Sequence, residues 1–198
     1  MKKTAIALIF GVLCLCLSGC GAVPLPEKAA DGLDWDKNWV TVGSIVGVDT
    51  PDGMEAQENN EALEAQGMSY AAWSIGEAVP YTNADGEEAQ LYDAQVYLLL
   101  SGSKSVELAE STLAQWREMA GQQYVIEGTA ARTYNGQEFT VITYLFGSET
   151  NPYARGASAY GVYRNYAVCV ELVCQQSFDG DAAELLGQFL DSCHYAMP

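Results

Sequence analysis

Histidine is almost missing from this sequence: of 198 residues only His194 carries an imidazole. Ser-His-Asp and Cys-His mechanisms hold an imidazole beside their nucleophile, so that chemistry has one position from which to act. His194 falls at the end of the last expected helix, where an imidazole favours the negative end of the dipole and bonds the final carbonyls. We therefore expect no catalytic residue. Basic residues are nearly as scarce, nine Lys and Arg against 26 Asp and Glu, for a formal net charge of −17. Such a surface repels phosphate backbones and anionic headgroups, and it excludes nucleic acid as a partner.

The chain also lacks a long apolar run. A membrane-spanning helix needs about 20 apolar residues, whereas the run from Ala5 to Leu17 is shorter and is cut off by Ser18 and Gly19. With Lys2 and Lys3 before it and small residues after it, this is the order of a signal peptide, which is removed. Leu17-Ser18-Gly19-Cys20 resembles the bacterial lipobox. The resemblance implies that residues 1–19 are cleaved and that Cys20 becomes a lipidated N-terminus carrying diacylglyceryl and palmitate-type chains. Two acyl chains anchor stably where one binds only marginally. The resulting protein is expected on the extracytoplasmic face of the cell membrane. Cleavage removes two lysines and no acid, leaving seven bases against 26 acids and a formal charge of −19.

Cysteine is sparse once that segment is gone, since Cys14 and Cys16 are lost and Cys20 is used for lipid. Cys169, Cys174 and Cys193 remain, enough for one disulfide and one spare thiol. Strand parity favours Cys174 with Cys193; a reduced, buried set is the alternative. Zinc held by these cysteines and His194 is not expected, because there is no CxxC knuckle and adjacent ligands on one helix diverge by about 100°. Acidic clusters at Asp31, Asp34 and Asp36, at Asp49 and Asp52, and at Asp85, Glu87 and Glu88 do not follow a calcium loop. Gly156-Ala157-Ser158-Ala159-Tyr160-Gly161 approaches a nucleophile elbow but has a residue too many, and a strand follows it. No metal and no cofactor are expected.

What is present is β-branched and aromatic. Residues 20–38, with Pro24, Pro26 and Gly32, read as the lipidated cysteine and a flexible tether of about 25 Å reach, at about 5–6 Å × √n. Residues 39–198 are enough for one domain with a real core. Trp39 to Val48 reads as a strand, and Met54 to Glu64 as a strand with a helical turn. Met68 to Tyr81 and Ala89 to Leu100 read as a hairpin. Its Tyr70, Trp73, Tyr81, Tyr92 and Tyr97 suit core packing, with an exposed aromatic platform as the sharper reading. Ser103 to Gly121 changes period: Val106, Ala109, Leu113, Trp116 and Ala120 recur at three and four, an amphipathic helix. Gln123 to Tyr134 and Glu138 to Phe146 join through Asn135-Gly136. Asn151 to Gly156 reads as a loop and Ala159 to Gln175 as one long strand. Asp181 caps a last helix running to His194.

These elements predict an α+β fold, an antiparallel β-sheet packed against two main helices that cover one face. Their order, ending in Phe189-Leu190-Asp191-Ser192, resembles the Mog1/PsbP-like sandwich found in many bacterial lipoproteins. That resemblance implies a non-enzymatic binding or assembly accessory in the cell envelope, acting on an envelope protein or a small ligand, with no catalytic residues to carry over. Two alternatives stand beside it: a carboxylate-based hydrolase of envelope polymers, needing two facing acids with raised pKa, and a calcium-dependent extracytoplasmic module.

Overall fold

A computed structural model describes residues 39–43, 45–57, 67–82, 86, 88–147 and 151–195. The expected signal peptide, Cys20, the expected tether, the helical turn expected towards Glu64, and Asp31, Asp34, Asp36, Asp85 and Glu87 lie outside them. The strands are β1 (Trp39–Val42), β2 (Val46–Asp49), β3 (Met54–Ala56), β4 (Met68–Ile75), β5 (Val79–Thr82), β6 (Glu88–Leu91) and β7 (Ala94–Gly102). Helix α1 (Val106–Gln123) follows, then β8 (Tyr124–Tyr134), β9 (Gln137–Phe146), β10 (Tyr153–Tyr163), β11 (Tyr166–Gln175), α2 (Ala182–Asp191) and β12 (Cys193–Tyr195). Seven strands form the main sheet in the order β3-β4-β7-β11-β10-β9-β8, every neighbouring pair antiparallel. A small sheet, β1-β2-β12, and a ribbon, β5-β6, complete the α+β fold.

Strand β11 organises the core. It lies at the centre of the main sheet, and Tyr166 through Cys174 are all buried. Alternation divides its side chains between two faces. Val168, Val170, Leu172 and Cys174 join one apolar cluster with Leu186, Phe189 and Leu190 of α2. Ala167, Cys169 and Val173 join the other with Ala109, Leu113 and Trp116 of α1. The helices therefore cover opposite faces, not one face as the sequence suggested. A strand apolar on both sides exposes a large area unless each face has its own cover. On the α2 face the small sheet shares that work, with Val42, Ile45, Val46 and Val48 in the same cluster as Ala71, Trp73, Val96 and Leu98.

The remaining departures are turns that carry no strong sequence signal. Trp39 to Val48 is a hairpin, β1 against β2, turned near Gly43 at φ 58. The expected first hairpin is two structures: β4 pairs with β7 in the main sheet, and the ribbon β5-β6 stands between them in sequence. The single long strand expected over Ala159–Gln175 is β10 and β11, folded at Arg164, which adopts φ 55, and Asn165. Asn165 ties the turn down, its Nδ2 donating to Ser103 O while Ser103 N donates to Asn165 O at 2.9 Å. β10 begins at Tyr153, inside the expected loop. Helix α1 runs past Gly121 to Gln123. The last helix stops at Asp191, so Cys193 and His194 lie in β12, against Val48 and Gly47 of β2. The Asn135-Gly136 turn forms as predicted, both residues at positive φ.

Candidate binding surface

Helix α1 opens on Ser105, whose Oγ accepts from Leu108 N at 3.4 Å, and buries Ala109, Thr112, Leu113, Trp116, Met119 and Ala120. It cannot seal against the whole sheet. Towards the β8–β9 turn, the residues sharing its face become small: Thr140 and Ala131 stand side by side in the register, beyond Tyr160. A groove of about 750 Å³ is left there, with Glu110, Leu113 and Arg117 on the helix side and Thr140, Tyr160 and Val162 on the sheet side. It has the size of a ligand cleft and offers two cations, Arg117 and Arg132, with carboxylates and an aromatic wall. It runs beside β8, the 11-residue strand that ends the main sheet.

Tyr160 links this groove to a buried polar layer under α1. Burial pushes its phenol up, as do Cys169 and Glu171, while Ser158 and Arg117 pull it down. At the centre of the layer is Glu171 of β11, 6% exposed. Its Oε1 accepts from Tyr124 OH at 3.2 Å, from Ser158 Oγ at 3.5 Å and from Tyr144 OH. Burial raises the carboxyl above its ordinary range, and the Tyr144, Tyr124 and Ser158 hydroxyls oppose that rise. Tyr124 stacks on Tyr144 at 4.1 Å. A second knot lies nearby on the same sheet, where Gln95 Oε1 accepts from Tyr97 OH at 2.7 Å and from Tyr153 OH. Trp116 Nε1 is buried without a partner among the described residues.

Comparison with known proteins bears on the architecture. No family model matches the chain, and no curated protein matches it. A crystal structure of a protein from Bacteroides thetaiotaomicron VPI-5482 aligns over 79% of this chain and 47% of that one, at 8% identity and TM-score 0.51. This chain thus spans about half of that structure's length. The solution structure of cyanobacterial PsbP (CyanoP) from Synechocystis sp. PCC 6803 aligns over 74% of this chain and 94% of that one, at 8% identity and TM-score 0.39. What the chain shares with the Bacteroides structure is fold, not sequence.

The residues singled out from sequence are placed as follows. Cys169, Cys174 and Cys193 are free, buried thiols. Cys174 and Cys193 lie in the α2-side cluster, as strand parity expected, with no bond between them; Cys169 lies in the other. Burial pushes Cys174 up to about 11, Arg155 pulling down and Asp181 pushing up. Cys193 Sγ donates to Phe189 O at 3.4 Å. His194 is exposed on a strand, its ring 4.8 Å from Trp39, rather than in a helix's last turn. Ser158 is buried in mid-strand, which rules out an elbow. Tyr70, Trp73 and Tyr97 are at most 1% exposed and Tyr92 is buried, so these four are core, not a platform, while Tyr81 is half-buried in the β5–β6 ribbon. Among the described residues no three of His, Cys, Asp and Glu stand together to hold a metal. No helix among them is long and apolar enough to cross a membrane.

Sequence reasoning missed both the groove and the Glu171 cluster. The cluster had a signal: a carboxylate between Val170 and Leu172, inside a strand apolar on both sides. The groove had none, because it exists only where α1 lands.

Proposed function

We propose that this chain is a lipid-anchored extracytoplasmic module, held to the cell membrane through Cys20, that binds an envelope partner in the groove between α1 and β8–β10. It acts as a binding or assembly accessory and not as an enzyme. The groove carries this reading: it is open, mixed in polarity, and flanked by a strand whose outer edge has no sheet partner among the described residues. The element order that resembles the Mog1/PsbP-like sandwich supports it from the side of architecture. The hydrolase alternative draws less support. Glu171, the carboxyl with a raised range, is closed under α1 and accepts from hydroxyls instead of facing a second acid.

The test is co-purification from the organism's own envelope in mild detergent, comparing wild type with Arg117→Glu, an exposed change that reverses the groove's helix-side cation. A protein or ligand retained by wild type and lost with the variant is the expected result. If nothing is retained, or retention ignores Arg117, the groove is not the binding surface.

A further inference from the structure

The two edges of the main sheet are built differently. At one end β3 is three residues long, and the chain beyond it turns back, Gln57 N donating to Ala72 O at 2.8 Å. At the other end β8 runs 11 residues and, among the described residues, pairs with β9 on one side alone. Its outward backbone groups are a template for another strand. Among the described residues little screens it beyond Arg132, whose Nη1 donates to Ala131 O at 3.1 Å: Glu127, Thr129, Ala131, Arg132 and Thr133 are exposed. Three of the six large exposed apolar side chains among the described residues lie on this hairpin, Val125 at 57%, Ile126 at 40% and Leu145 at 38%.

We infer that β8 pairs antiparallel with β8 of a second copy across a two-fold axis. Charge complementarity within the strand points to the chain itself as the occupant. Residues along a strand alternate in turning their hydrogen-bonding groups inward and outward. A two-fold antiparallel pairing in the regular stretch therefore places a residue, not a gap, on the axis. With Ala130 there, Thr129 faces Ala131 and Gly128 faces Arg132. The register against β9 slips between Ile126 and Gly128, so Glu127 is the extra, bulged residue. Each Arg132 then stands beside the other copy's Glu127, and the contact occurs twice because the interface is isologous. Any register that moves the axis far from Ala130 separates the two charges. On a single copy, a bulge and a charged pair protect an edge from indiscriminate pairing; between two copies they fix the register. The seven-stranded sheets would join into one continuous sheet of 14.

Two measurements test this on the full chain. In its native membrane, Ala130→Cys is expected to give a disulfide-linked dimer on mild oxidation, since residues on the axis face each other at strand-pair distance. Ala114→Cys, exposed on α1, is the control and should give several-fold less. For the purified chain, sedimentation of Glu127→Arg and of Arg132→Glu should each show a several-fold lower dimer fraction. The double exchange should restore it, an outcome that a folding defect cannot mimic. Equal cross-linking of the two cysteine variants overturns the inference. So does a monomer at every concentration, or a double exchange that restores nothing.

Discussion

Glu171 occupies a position where burial and ionisation pull against each other. Its carboxyl is raised in the folded chain by burial, against the Tyr144, Tyr124 and Ser158 hydroxyls. A glutamate that holds its proton more tightly when folded contributes stability that is fully present below the unfolded pKa of about 4.3. That contribution is lost as pH rises through the folded value. Glu171→Gln keeps an acceptor for the hydroxyls and removes the titration. The expected outcome, read from melting temperature at several pH values, is that Gln gains on wild type as pH rises from about 4 to about 8. A constant difference would mean that Glu171 does not titrate in that window. Glu171→Ala strands the hydroxyls instead and should cost about 1–3 kcal/mol. At this scale the sequence was partly readable: strand parity set Cys174 on the same side as Cys193, and the structure keeps both in one apolar cluster. It could not reveal that Glu171's acceptor would meet Tyr124 and Tyr144, from two strands 20 or more residues earlier.

Elements were legible where periodicity or turn chemistry was strong. The 3.6-residue period of α1 and the Asn135-Gly136 turn both came through. Arg164-Asn165 did not, because it lacks glycine and the apolar alternation on either side runs on without a break. Nor did the break before β12, since Cys193 continues the helical stripe but pairs with Val48 instead. Partners distant in sequence decide such cases. The β8–β9 turn does more than reverse the chain. Asn135 Nδ2 donates to Asp191 O at 2.6 Å and to Cys193 O at 2.9 Å, fastening the hairpin to the junction of α2 and β12. Asn135→Ala loses both bonds and places a residue less tolerant of positive φ at 46. A loss of about 1–3 kcal/mol is expected in urea unfolding. Asn135→Gly relieves the backbone but not the bonds, so it should fall between wild type and Ala.

For the whole molecule, the α+β class and the two helices were predictable from composition and period, whereas their placement on opposite faces followed from β11 being buried on both. The lipid anchor proposed for Cys20 is open to direct measurement. Wild type should partition into the detergent phase of a cloud-point separation and Cys20→Ser into the aqueous phase, with no change in the circular dichroism of the folded domain. Equal partition of the two would remove the anchor from the account. The small sheet adds a matter of timing. β2 lies between β1, at Trp39–Val42, and β12, at Cys193–Tyr195. A chain that emerges from its N-terminus can build β1 and β2 early, yet β2 stays half-paired until β12, about 145 residues further on, has followed. The small sheet is closed, in effect, by a latch: β12, late in the described chain, must fasten beside β2, formed early in it.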